Sequence, residues 1–233
     1  MKNINKEEKI LYLTLFSIFS IYNIFTLNAS SVELYNLIFN SIVFIFIYTP
    51  IFLYNLLKIE RNMCLSEIII RYESIDKLII HKIKTLFFIS LRVSIFCIII
   101  SNLFFILRDI NMIFCKESWI IIILSVITQS TGWFFIGILF LFLAQILKNE
   151  ILAYIIEICI LGFVQIILSP LLFGFLRKFI YPIWDIMYFY DFSINIINKV
   201  MCTILIIIIN ILIIYLYKRL LISKDIGRKS IWI

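Results

Sequence analysis

KIERNMCLSEIIIRYESIDKLIIHKIK, residues Lys58–Lys84, is the long polar interval of an otherwise apolar chain. It carries six basic residues: Lys58, Arg61, Arg71, Lys77, Lys82 and Lys84. A basic segment between two apolar runs stays on the cytoplasmic side of a membrane. That placement sets the orientation of every other segment. The interval is also where the chain would meet an energy source, if it does active work.

Composition makes the surroundings of this interval a membrane domain. The chain has 233 residues, of which 64% are hydrophobic, and a mean hydropathy of +1.11. A soluble domain is only about half apolar. The sequence therefore predicts an all-α, polytopic membrane protein: one transmembrane domain over residues 1–233, without room for a soluble catalytic domain. The formal net charge is +7, but most of the excess falls in segments that topology already assigns to the cytoplasm. Attraction to anionic membrane lipid follows. A nucleic-acid partner does not, because no basic soluble module exists. The cysteines Cys64, Cys97, Cys115, Cys159 and Cys202 form no CxxC pair, which speaks against a disulfide framework or a zinc site.

Six apolar runs are expected to span. Met1–Lys9 is short and basic and lies inside. Ile10–Leu27 is uncharged over 18 residues and reads as a retained first span rather than a cleaved signal. Asn28–Asn36 is an outer loop. Leu37–Leu57 is the second span, with Pro50 expected to kink its inner third. After the polar interval, Thr85–Leu107 is the third span, followed by the outer loop Arg108–Lys116. Trp119–Leu147 is apolar for 29 residues and contains Gln129-Ser130-Thr131-Gly132, which predicts a tilted or locally broken fourth helix. Lys148-Asn149-Glu150 is a tight inner turn, and Ile151–Leu168 is the fifth span. Ser169–Asn198 mixes Pro170, Gly174, Pro182 and charges with Trp184, Tyr181, Tyr188 and Tyr190. It reads as an interfacial or re-entrant segment on the outer side. Met201–Tyr217 is the sixth span, and Lys218–Ile233 ends inside. This N-in, C-in layout puts fifteen Lys/Arg inside and five outside, with Arg92 within a span.

The sequence offers no catalytic, cofactor or metal constellation. His81 is the single histidine, so no Ser-His-Asp set can be assembled, and neither an HExxH nor a phosphate-binding loop is present. Any ATP hydrolysis must come from another chain. Buried polar residues carry the remaining interest. Arg92 lies about 12 Å along its helix from Lys84, and Glu157 about 10 Å from Glu150. Ions at such depths pair or turn inward, so the two are expected to meet between the third and fifth spans. The alternative has Arg92 snorkelling to the headgroups and Glu157 protonated or facing a cavity. Asn210 is expected at the depth of Gln145 and Glu157, joining helices. Gln129, Ser130 and Thr131 could line a path for an amphipathic substrate, or simply mark a helix break.

Three features resemble the permeases of ABC exporters of the type-2 class, and more narrowly the small permeases of bacteriocin and lantibiotic immunity or export systems. The segment Ile68–Lys84 is similar to that family's pattern: an aliphatic run, then an Arg, a Ser and basic residues leading into the third span. Arg71, Ser74 and Lys77 fit it, whereas Glu73 and Asp76 replace more basic and aromatic residues. The six-span layout with an aromatic segment before the last span is the second feature. The ending Lys218–Ile226, a basic stretch closed by Asp225-Ile226, is the third. The resemblance implies a cytoplasmic amphipathic helix docked in a cleft of an ATP-binding subunit. Its contact candidates are Glu60, Arg61, Ser66, Glu67, Arg71, Tyr72, Ser74 and Asp76. It further implies a second permease copy or a sister permease as partner, and an amphipathic peptide as substrate. Leu65, Ile68, Ile69 and Tyr72 recur at roughly helical spacing, with Glu67, Arg71 and Ser74 opposite. A helix merely lying in the interface would show the same pattern. The rival functions are a non-transporting accessory or immunity protein that binds a peptide or a membrane partner, and an intramembrane enzyme. The lone His81 disfavours the last.

Overall fold

Long apolar runs satisfy their backbone groups internally when they fold as helices. In the computed structural model, which describes residues 2–25, 43–63, 75–108, 116–163 and 196–229, the regular structure is helical, without a strand among the described residues. The helices are α1 (Lys2–Phe25), α2 (Thr49–Met63, preceded by a π-helical turn at Phe44–Tyr48), α3 (Ile75–Arg108), α4 (Lys116–Leu147), α5 (Glu150–Phe163) and α6 (Ile196–Lys229). Each overlaps one of the six apolar runs.

Helices α3 and α6 have 34 residues each and α4 has 32. At 1.5 Å per residue they are roughly 50 Å long, well beyond the ~30 Å of a hydrocarbon layer. Within them Asp76–Ile100, Val126–Leu147 and Thr203–Leu221 are long and apolar enough to cross a membrane. Lys9–Ile21 and Phe44–Lys58 are shorter apolar stretches. Asp76–Lys84, the end of the polar interval, is continuous helix with the rest of α3, so that end of the interval is a rigid part of α3.

The core centres on α4, which packs against α3, α6, α5 and α2. A helix apolar on all sides is one that is surrounded. Gly137 lets three helices meet. A Cβ there would collide with Leu86 Cδ1 of α3 and lie 3.1 Å from Leu56 Cδ1 of α2. One turn earlier Trp133, 2% exposed, stands between Phe44 and Phe52, with ring centroids 4.8 and 4.7 Å away. These contacts fix direction. As α4 advances from Trp133 to Gly137, its partners advance along α2, so the two run parallel. Helix α3, linked through Leu86 and through the Phe87–Phe134 edge contact at 6.1 Å, runs antiparallel to both.

The remaining elements attach to this centre. Tyr12 of α1 meets Phe96 of α3 at 4.6 Å and Phe19 meets Tyr48 at 5.9 Å. Phe96 and Tyr48 stand at similar heights above the Gly137 junction, whereas Tyr12 and Phe19 are about 10 Å apart along α1. Helix α1 therefore crosses α2 and α3 obliquely. Between α4 and α5, Lys148 adopts φ 54°, the left-handed conformation that ends many helices. Asn149 then caps α5, its Oδ1 accepting from the backbone N–H of Ile151 (3.0 Å) and Leu152 (3.1 Å). The tight turn expected at Lys148-Asn149-Glu150 is present.

Pro50 has a more specific effect than a kink. An α-helix through this point would drive its ring into the Phe46 carbonyl. Instead the preceding turn widens, and the Thr49 N–H donates to the Phe44 carbonyl, five residues back. Pro50 thereby falls in the first turn of α2, where its missing N–H is tolerated.

Outward-facing surfaces are strongly apolar. Leu13, Phe88, Ile99, Ile208, Ile211 and Leu212 are all more than half exposed. Contiguous apolar exposure on this scale calls for an apolar environment.

Candidate functional site

Two sets of residues are candidates: the polar interval with the chain ends near it, and the polar groups inside the bundle.

In the first set, Glu60 and Arg61 fall in the last turn of α2. Ser66, Glu67, Arg71, Tyr72 and Ser74 lie outside the described residues, as does the segment Ser169–Asn198 read as interfacial or re-entrant, apart from Ile196–Asn198, which begin α6. Asp76 opens α3, where an acid favours the positive end of the helix dipole. Its Oδ1 stands 3.0 Å from Lys218 Nζ of α6. The pair is solvent-exposed and contributes at most about 1 kcal/mol. Its value is positional, because it sets the beginning of α3 beside the later turns of α6. The Gly137 junction sets the same end of α3 beside the ends of α2 and α4. Lys58, Asp76, Lys148 and Lys218 thus belong to one end of the bundle. Lys58 Nζ sits 4.8 Å above the Tyr54 ring, and Lys82 is buried despite its charge.

In the second set, the Gln129–Gly132 stretch does not break its helix. Helix α4 is continuous from Lys116 to Leu147. The Ser130 hydroxyl donates to the Ile127 carbonyl (3.0 Å) and the Thr131 hydroxyl to the Thr128 carbonyl (2.9 Å). These side chains satisfy themselves on their own helix and leave its ladder intact. Thr128, Gln129 and Ser130 are buried, facing protein rather than a path at the surface.

Asn210 joins helices as expected, but with another partner. Its Nδ2 donates to the Thr131 carbonyl at 3.3 Å, holding α6 to α4. Gln145 and Glu157 play no part in that bond. The anticipated Arg92–Glu157 pair does not form. Arg92 is exposed on α3, while Glu157 is 0% exposed and neither carboxyl oxygen has a hydrogen-bond partner. The reason is architectural: α4 packs with both α3 and α5 and stands between them.

Several buried polar residues were not singled out from the sequence: Thr49, Asn55, Ser90, Ser94 and Thr203. Ser90 and Ser94 carried a legible signal, a four-residue spacing that puts both on one helix face. The Ser94 hydroxyl donates to the Ser90 carbonyl at 2.8 Å. Asn55 Nδ2 donates to the Ile51 carbonyl at 2.8 Å, leaving its Oδ1 unpartnered. Thr49 Oγ1, Ser90 Oγ and Asn210 Oδ1 also lack partners. The interior therefore presents oxygens, and what would satisfy them brings positive charge or donor hydrogens. Among the described residues no group of three or more His, Cys, Asp or Glu could hold a metal ion.

Among the described residues these features define an all-helical bundle with three helices long and apolar enough to cross a membrane, and with several unpartnered oxygens buried in a largely apolar core. No family model, no curated protein and no solved structure matches the chain.

Proposed function

We propose that the chain is the permease half of an ATP-driven exporter of the type-2 ABC class. It would sit as a six-span, N-in and C-in protein in the cytoplasmic membrane. It would work with a second copy or a sister permease and with separate ATP-binding subunits, which hydrolyse the ATP. The observation that carries this reading is the gathering of Lys58, Asp76, Lys148 and Lys218 at one end of the bundle. A partner below the membrane would meet the start of α3 and the later turns of α6 together, and α3 would act as a stiff rod conveying movement from the polar interval into the apolar core. The likeness of Ile68–Lys84 to the docking segment of such permeases supports the same partner. The apolar outer surface, with a minority of polar groups buried in the bundle, suits an amphipathic antimicrobial peptide as cargo, in immunity or export.

The alternative is an accessory protein that binds the peptide or a membrane partner without transport. Its support is the exposure of Asp76 and Lys218, which serve equally well as a static anchor. Peptide tolerance of cells carrying the chain separates the two. The permease reading expects protection that disappears when its ATP-binding subunit is inactivated. Full protection without any ATPase would establish the accessory reading instead.

A further inference from the structure

Glu157 has no role in the permease reading, and its surroundings are unusual. It is fully buried, and both carboxyl oxygens are without hydrogen bonds. Helix α5 packs on the π-helical turn and on α2, and a Cβ on Gly162 would lie 3.2 Å from the Phe46 ring. A short turn makes α5 antiparallel to α4, and α2 is parallel to α4, so α5 and α2 are antiparallel. Glu157 lies about 7.5 Å back from Gly162, which sets it at the height of the first two turns of α2.

That part of α2 is itself short of hydrogen bonds. The Thr49 N–H is diverted to the Phe44 carbonyl, and Pro50 has no N–H. The Ile45 carbonyl thereby loses both of its regular helical donors. Thr49 Oγ1, 0% exposed, and Asn55 Oδ1 have no partners either. Carboxylate, carbonyl, hydroxyl and amide oxygens at the height of an interrupted helix are of the kind that membrane proteins present to small cations. π-helical turns recur at functional sites.

We infer that Glu157 and the interrupted start of α2 form an internal binding site for a small monovalent cation, a proton or a sodium ion. Occupied, the site is neutral and α5 stays packed on α2. Vacated, it leaves a bare carboxylate in a dry interior, which is strongly unfavourable. Occupancy thus controls the α2–α5 contact. No other charge competes for Glu157 from α4, which is uncharged from Ser118 to Leu147. The π turn offers only the Tyr48 phenol. Helix α2 offers Lys58, engaged with Tyr54, and the Glu60 and Arg61 of its last turn. Helix α5 itself adds Glu150 and Tyr154. The inference does not depend on an ATP-binding partner.

Carbodiimide labelling of the full chain in lipid nanodiscs tests it, because dicyclohexylcarbodiimide reacts with protonated carboxyls in apolar surroundings. Peptide mass mapping would follow Glu157 between about pH 5 and pH 9, in sodium or potassium chloride of equal ionic strength. A proton site predicts labelling that falls about tenfold or more as pH rises, equally in both salts. A sodium site predicts that sodium, and not potassium, slows labelling several-fold at fixed pH. Glu157→Gln should remain folded and lose whichever dependence of thermal stability on pH or sodium the native chain shows. Labelling that is absent under all conditions, or indifferent to both pH and sodium, would overturn the inference and make Glu157 a permanently neutral packing residue.

Discussion

Gly137→Ala tests the junction on which the relative directions of α2, α3 and α4 rest. The added methyl would collide with Leu86 Cδ1 and approach Leu86 Cδ2 at 3.2 Å and Leu56 Cδ1 at 3.1 Å. Both leucines are side-chain tips that could shift, but they are 2% and 5% exposed and have little space to enter. Overpacking of this kind costs about 1–3 kcal/mol. Replacing glycine by alanine inside a helix returns about 1 kcal/mol. The net expectation is a loss of roughly 0–2 kcal/mol, small because the two effects oppose each other. A double-mutant cycle removes the ambiguity. Leu86→Ala alone should cost about 2–5 kcal/mol through its cavity. In the double variant the new methyl enters space the leucine has vacated, so the combined loss should fall short of the sum by about 1–2 kcal/mol. Reversible unfolding in mixed micelles, followed by helical circular dichroism, gives the four free energies. Additivity within about 0.5 kcal/mol would mean that Gly137 and Leu86 do not touch, and the arrangement of the three helices would be wrong.

Four further perturbations probe other joints, each by the same unfolding measurement. Asn149→Ala removes both capping bonds at the start of α5 and should cost about 1 kcal/mol, whereas Lys148→Gly relieves the left-handed backbone and should stabilise by up to about 1 kcal/mol. Asn210→Ala breaks the bond from α6 to the Thr131 carbonyl and should cost about 0.5–1.5 kcal/mol, the range for interhelical polar contacts in membranes. Asp76→Ala should change stability by less than about 1 kcal/mol, with any effect shrinking at high salt, because its pair with Lys218 is exposed.

The helices were legible because apolar length speaks directly to a helix in a nonpolar setting. The turn at Lys148-Asn149-Glu150 was legible from a brief polar interruption. Other features failed for identifiable reasons. The Gln129–Gly132 stretch read as a break by residue type, yet hydroxyls that bond to their own helix are compatible with its continuity. Arg92 and Glu157 were matched by depth, but depth gives height along a helix and not direction around it, and α4 intervenes. Asn210 was matched by depth to Gln145 and Glu157, whereas its amide reaches the Thr131 carbonyl of α4. The π turn before Pro50 was half legible: proline announced an irregularity without specifying its form. Whether the polar interval engages a partner depends on Ser66, Glu67, Arg71, Tyr72 and Ser74, and helical spacing alone fits docking and membrane anchoring equally.

Affinity purification of a tagged chain in mild detergent, with mass identification of its companions, addresses the permease reading most directly. The expected result is an ATP-binding subunit that accompanies the native chain and is lost when Arg71 and Glu67 are replaced. Purification without any ATP-binding protein, repeated in several detergents, would contradict it and leave a membrane accessory protein.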